Sequence, residues 1–210
     1  MNRTIRTIQV CRQVVQAAAI VLGLADPISA AGLTRVDREE GLRYLARTMD
    51  AVVEATSGLS SAQWNFKPAP GRWSVAEIVE HLALSEDLFW HTLTDQVMKA
   101  PAGEPGRDSG ALDRMILTVI PDRTNKANAA PPLLPAGKDS PAAVLSQFLH
   151  RRARSAEFLK STPDLREHVA DSPLGQPMDG YQWLMFAAAH SERHTEQILE
   201  VKADPGFPAK

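Results

Sequence analysis

Two stretches of this chain open in the same way, and the device they share belongs to helices. In GRWSVAEI, Ser74 is placed to cap, Glu77 stands three residues on to reach back, and Trp73 and Ile78 flank the pair. In MDGYQW the same four positions hold Asp179, Gln182, Met178 and Trp183. A capping oxygen with Glu or Gln at the third helical position satisfies two of the N–H groups that a helix start leaves open, and the apolar pair sets the entry angle. A third start, SPAAVL, puts Ser140 at the cap and Pro141 at the first helical position, where a missing N–H does no harm.

Apolar residues at steps of three and four follow each start, and one more such segment precedes them. Residues 37–57 carry Leu42, Leu45, Met49, Val52, Val53 and Thr56 as an inward stripe, with Gly58 as the stop. The second helix is expected to run from Ser74 to about Lys99, and the fourth from Asp179 to about Ala203, each ending ahead of a proline. No alternation of period two lasts long enough to build a sheet. Rods of roughly 30 to 37 Å, each with one apolar stripe, bury those stripes together, so the expected fold is an all-α four-helix bundle. Between helices two and three, residues 100–139 are rich in Pro and Gly. A connection of this length reads as a crossover over one end of the bundle, with residues 111–120 (ALDRMILTVI) as a short amphipathic helix inside it.

Composition narrows the function classes. Of the 210 residues 44% are apolar and 23% charged, with both signs mixed and a net charge of -2, as in one globular domain. There is no basic block and no aromatic–basic interleaving, which argues against nucleic acid and anionic membrane surfaces as partners. The first 31 residues read as a secretory signal. Arg3, Arg6 and Arg12 come first, the apolar residues 14–25 follow, and small residues after Pro27 offer cleavage near Ala30 or Ala31. The apolar run falls short of the roughly 20 residues a spanning helix needs. The expectation is a periplasmic or secreted protein without stable membrane insertion. Cys11 is the only cysteine, so the mature chain would lack disulfides, thiolate nucleophiles and thiolate metal ligands.

The histidines carry the most chemistry. In AAAHSERHTEQI, His190 and His194 are four residues apart, and they share a helix face with Trp183, Ala187, Gln197 and Val201. Phe186 and Ile198 flank that face and should point inward, so the two imidazoles would leave water and need partners. On the second helix His81 lies beside the inward stripe of Ile78, Leu82, Ser85 and Phe89. Three nitrogens converging from two helices suit a divalent metal with an open position; three core histidines satisfied by hydrogen bonds are the alternative. No HExxH, paired Glu-x-x-His, phosphate loop or CxxC competes for the role. His91, His150 and His168 read as surface or helix-edge residues.

At this point the chain resembles a known family. GRWSVAEIVEHL, the crossover with APPLLP, SQFLHRRARSAEFL, SPLGQPMDGYQWL and HSERHTEQI occur in the order seen in DinB/YfiT-like metal-dependent enzymes, over residues 34–208. The WS-x-x-E-I-x-E-HL segment and the final H-x-x-x-H are its specific parts. The resemblance implies a four-helix bundle whose His81, His190 and His194 bind a divalent ion, with zinc or nickel the first candidates. It also implies a hydrolase or a transferase using small thiols, a small-molecule substrate and a homodimer. A non-catalytic, stress-related metal- or ligand-binding bundle is the alternative function.

Other residues have two readings each. Glu77 either closes the capping box or orients His81, and Gln197 either contacts bound water or substrate or bonds between helices. Arg152 falls on the inner stripe of the third helix, where it meets an anionic substrate group or pairs with a neighbouring helix. Trp64, Trp73, Trp90 and Trp183 read as core and staple residues.

Overall fold

Each long helix opens on a cap that its own sequence provides. The computed structural model describes residues 32–209 apart from Pro105, Asn125 and Ala127, so the expected export signal and Cys11 lie outside the described residues. Helix α1 (Arg35–Thr56) begins two residues before its expected start, because Thr34 caps it. The Asp37 amide donates to Thr34 Oγ1 at 3.0 Å and the Thr34 amide to Asp37 Oδ2 at 3.2 Å. The chain turns out of α1 at Gly58, with φ at 66°, a conformation that a β-carbon disfavours. A one-turn helix, α2 (Ser61–Asn65), follows with its own Ser60–Gln63 box; nothing in the periodicity announced so short an element.

Helix α3 (Val75–His91) starts on the expected Ser74–Glu77 box. Its winding continues as a π turn (Thr92–Gln96) and a 3₁₀ turn (Val97–Lys99), which reach the expected end. Helix α4 (Ser109–Val119) forms inside the crossover, capped by Asp108. Helices α5 (Pro141–Ser161) and α6 (Gly180–Lys202) start at Ser140 and Asp179. Strands β1 (Val169–Ala170) and β2 (Met178–Asp179) pair antiparallel, Val169 opposite Asp179. Two residues per strand are too few to show a period of two, which is why the sequence reads as free of sheet.

Helices α1 and α3 each pack against both α5 and α6, so the bundle runs α1–α5–α3–α6 around its axis. Helix α4 packs on α6, and a 3₁₀ turn at Pro131–Leu133 meets α3. The crossover therefore lies along α6 and comes back to α3. At Gly41 the helices approach so closely that a β-carbon would stand 2.8 Å from the Tyr181 ring and 2.9 Å from Leu159. Val53, expected in the inward stripe, sits at its exposed rim (37%), because Val52 beside it takes the inward position. Among the described residues no helix is long and apolar enough to cross a membrane.

The core is two apolar clusters with a polar layer between them. One gathers Leu45, Phe89, Leu159 and the start of α6; the other gathers Val52, Ile78, Leu82, Val144, Phe148 and Ile198. On every long helix the sequence passes from one cluster to the other through buried polar residues: Thr48, Ser85 and Glu86, Arg152 and Ser155, and Ser191. Arg152 is the hub. Its Nε and Nη2 donate to Glu86 Oε1 at 3.1 and 2.5 Å, and its Nη1 donates to Thr48 Oγ1 at 2.8 Å and the Leu45 carbonyl at 3.2 Å. Nη2 also donates to Ser191 Oγ at 2.7 Å and the Ala187 carbonyl at 3.1 Å. All four long helices meet on one guanidinium. Arg152 is thus an ion-pair residue of the core, and an anionic substrate is not its partner.

Removing that guanidinium strands the Glu86 carboxylate, which is 2% exposed. Arg152→Ala is expected to cost about 3 to 5 kcal/mol, and to lower Tm by roughly 10 °C. Pairing Arg152→Met with Glu86→Leu should recover most of the loss, because no buried charge then lacks a partner. Thermal unfolding checks both, and a single-variant loss below about 1 kcal/mol would contradict the hub role.

Candidate metal centre

Helix α3 brings His81, and helix α6 brings His190 and His194, to one place. The three rings offer ligand nitrogens that lie within 4.8 Å of one another. His190 Nε2 is central, 3.3 Å from His81 Nε2 and 3.1 Å from His194 Nε2. His81 (3% exposed) and His194 (8%) are buried, and His190 keeps some accessible surface. Trp73 walls one side, its ring centroid 4.9 Å from that of His81 and 6.5 Å from that of His194. Phe89 meets His190 edge-on at 5.4 Å. Trp73 is therefore more than a staple residue.

The outer nitrogens fix which protons the rings carry. His81 Nδ1 lies 2.8 Å from the Leu133 carbonyl, which can only accept, so Nδ1 holds the proton and Nε2 presents a lone pair inward. His194 Nδ1 lies 2.8 Å from Gln197 Oε1. Arg123 Nη1, a donor only, faces the same oxygen at 3.5 Å, which supports its assignment as the amide oxygen. His194 Nε2 is thus bare as well. A proton on His190 Nε2 would serve one neighbouring lone pair and leave the other without a donor. A cation among the three would serve all of them.

Electrostatics point the same way. Burial holds the His81 pKa below its ordinary value. Burial, then the neighbouring His81 ring, brings His194 down to about 3. Burial, then His194 and His81, holds His190 well below the ordinary imidazole range. All three rings are neutral at pH 7, the form that binds metals.

Glu77 closes the capping box, its Oε2 accepting from the Ser74 amide at 2.8 Å, and Oε1 takes Lys67 Nζ at 2.6 Å. It does not orient His81; the Leu133 carbonyl does. Gln197 orients His194. His91 is exposed and bonds to Asp95, His150 is exposed, and His168 Nδ1 donates to the Ala100 carbonyl at 2.7 Å, so none joins the cluster. Trp64 and Trp183 are core residues, and half-buried Trp90 stacks under the Arg154 guanidinium. Leu133 was beyond sequence reading because a backbone carbonyl leaves no side-chain signature. The APPLLP segment that holds it was visible only as a pattern in the crossover.

Depressed imidazole pKa values make stability depend on pH with a definite sign. The unfolded rings titrate near 6.5 and the folded ones lower, so the unfolded state binds more protons below that value. The metal-free protein should keep this contribution above about pH 6.5 and lose it progressively as pH falls toward about 3. Urea unfolding at pH 7.5, 6.0, 5.0 and 4.0 measures the slope. His194→Phe should make it shallower; an unchanged slope would contradict the assignment.

Comparison with known proteins places this arrangement. The chain is 29% identical over 147 residues to the uncharacterized protein YuaE of Bacillus subtilis (strain 168), covering 69% of this chain and 86% of that protein. It is 24% identical over 172 residues to a Geobacillus thermodenitrificans protein named "Putative metal-dependent hydrolase", covering 81% and 87%. Among solved structures, YfiT from Bacillus subtilis, described as "a probable metal-dependent hydrolase with an unusual four-helix bundle topology", superposes with a TM-score of 0.53 at 18% identity, covering 84% of this chain and 91% of that one. A conserved protein from Enterococcus faecalis gives 0.51 at 19% identity, covering 78% and 94%. The DinB superfamily model matches residues 44–198, from the middle of α1 to the turn after His194, and the chain belongs to that superfamily.

Proposed function

We propose that this chain is an exported metal-dependent hydrolase of a small molecule, with one divalent ion held by His81, His190 and His194. The carrying observation is the set of three neutral rings on two helices with their Nε2 atoms turned toward one another and both outer protons engaged. Imidazole nitrogens suit zinc and nickel, and three of them leave a coordination position free. The names of the Geobacillus relative and of YfiT support hydrolysis as the reaction class.

Such an ion, when bound, supplies concentrated positive charge that polarises an oxygen or acidifies a proton donor. The chain supplies the rest. Leu133 and Gln197 hold the rings at a fixed tautomer and angle, which is the usual task of groups behind metal ligands. Trp73 and Phe89 keep water from the flanks of the imidazoles and so strengthen charge interactions there. Phe89, which packs on His190, also lines a hollow of about 340 Å³ with Leu88, Thr92, Gln96, Asp171 and Trp183; none of the three histidines opens onto it. Export rests on residues 1–31, with their basic start, apolar run and small-residue cleavage site.

Untagged protein, incubated with zinc or nickel and gel-filtered, should retain about one equivalent of metal by mass spectrometry. His190→Ala, which removes the central ring, should retain far less than one. Hydrolysis of small ester, amide and phosphoester substrates should stop on chelation, return with metal and fall about 100-fold or more in His81→Ala. Metal bound at one equivalent with no such activity, and His81→Ala lowering only Tm, would favour the non-catalytic metal-binding bundle. N-terminal sequencing from the native host should begin near residue 31 or 32, and an intact Met1 would contradict export.

A further inference from the structure

Glu80 stands immediately before His81 on α3, and its carboxylate grips the crossover. Oε1 accepts from the Ala136 amide and Oε2 from the Gly137 amide, both at 2.9 Å. Three residues earlier, the Leu133 carbonyl accepts from His81 Nδ1 at 2.8 Å. Two adjacent residues of one helix thus hold residues 133–137 at both ends. The Pro131–Leu133 turn, closed by the Leu133 amide on the Ala130 carbonyl at 2.9 Å, fixes the chain where it enters that stretch, and Pro135 lies within it. Gly137, with φ at 65°, lets the chain turn so that successive amides reach one carboxylate.

The same connection touches the other helix of the site. Arg123 forms a two-point pair with Glu200, at 2.7 Å on each arm, and faces Gln197 Oε1, the group that orients His194. Arg193 donates to the Asp122 carbonyl from α6. The groups behind His81 and His194 are therefore both held in place from the crossover.

We infer that Glu80 is a positioning residue of the metal centre: by seating Ala136 and Gly137 it holds the Leu133 carbonyl on His81 Nδ1, so that metal affinity and the seating of the crossover rise and fall together. This rests on the metal reading above. Linkage makes the coupling reciprocal: whatever factor crossover seating adds to zinc affinity, zinc adds to the protection of the seated amides. Unseating the carbonyl frees the His81 ring to rotate or change tautomer, and groups behind a metal ligand typically carry 10- to 100-fold in affinity.

The test uses the full chain and Zn(II) alone, titrated against a competing chelator, with Glu80→Ala, Glu80→Gln, Gly137→Val and His81→Ala. Glu80→Ala should weaken zinc binding about tenfold, with the metal-free Tm nearly unchanged because Glu80 lies at the bundle surface. Glu80→Gln, whose amide oxygen still accepts from one of the two amides, should fall in between. Gly137→Val disturbs the segment without touching α3 and should weaken zinc as Glu80→Ala does. In the wild type, zinc should slow hydrogen exchange in residues 133–137, and in Glu80→Ala it should not. Zinc affinity within twofold of wild type in both Glu80→Ala and Gly137→Val, with His81→Ala defective, overturns the inference and leaves the metal site standing. Wild-type zinc affinity in His81→Ala overturns the site itself.

Discussion

One buried guanidinium sets the register in which four helices meet. Arg152 reaches α1, α3 and α6 from α5, and two of its partners lie on the helices that carry the histidine cluster. Glu86 is five positions after His81 on α3, and Ser191 directly follows His190 on α6. A slip of one residue moves a helix by about 1.5 Å and turns it by about 100°, enough to carry an imidazole out of the cluster. Arg152 and Glu86 would be an unfavourable pair if half satisfied, since taking both charges out of water costs several kcal/mol each. Here every nitrogen of the guanidinium has an acceptor, and a shifted register would leave those buried charges without partners. The polar layer thus contributes specificity of register, while the two apolar clusters on either side supply most of the burial.

That register gives the site its main chemical property, three imidazoles kept neutral and preoriented. Burial suppresses their protonation, and the Leu133 carbonyl and Gln197 take up the outer protons. The lone pairs that remain face inward, where they repel one another unless a cation intervenes. The chain shares a fold with the two solved structures at less than 20% identity, and the bundle by itself names no reaction. Around the three rings the crossover supplies the Leu133 carbonyl and Arg123, while α6 supplies Gln197, and the turn before α3 and α3 itself supply Trp73 and Phe89.

How much of this was legible depended on where each signal is written. Caps are local, and Ser74, Ser140 and Asp179 open their helices as their neighbours foretold. The Thr34 cap is less conspicuous because its reach-back partner is Asp37, one methylene shorter than the usual Glu. The histidine trio was legible because spacing of three and four residues places side chains on one helical face. What escaped is long-range. Glu77 and Glu80 are both one turn or less from His81, and spacing favoured Glu77 as its possible partner. The structure gives Glu77 to the cap and Lys67, and Glu80 to the crossover amides. Nothing in local sequence says which turn of a 40-residue connection returns to which helix. Arg152 was legible as buried, but its partner Glu86 could be identified only once α3 and α5 were side by side.

The most direct measurement is anomalous diffraction at the zinc edge from crystals of the zinc-loaded chain. The account requires one strong peak about 2.0 to 2.1 Å from Nε2 of each of His81, His190 and His194. A peak elsewhere, or one of the three rings turned out of the cluster with zinc bound, would contradict it.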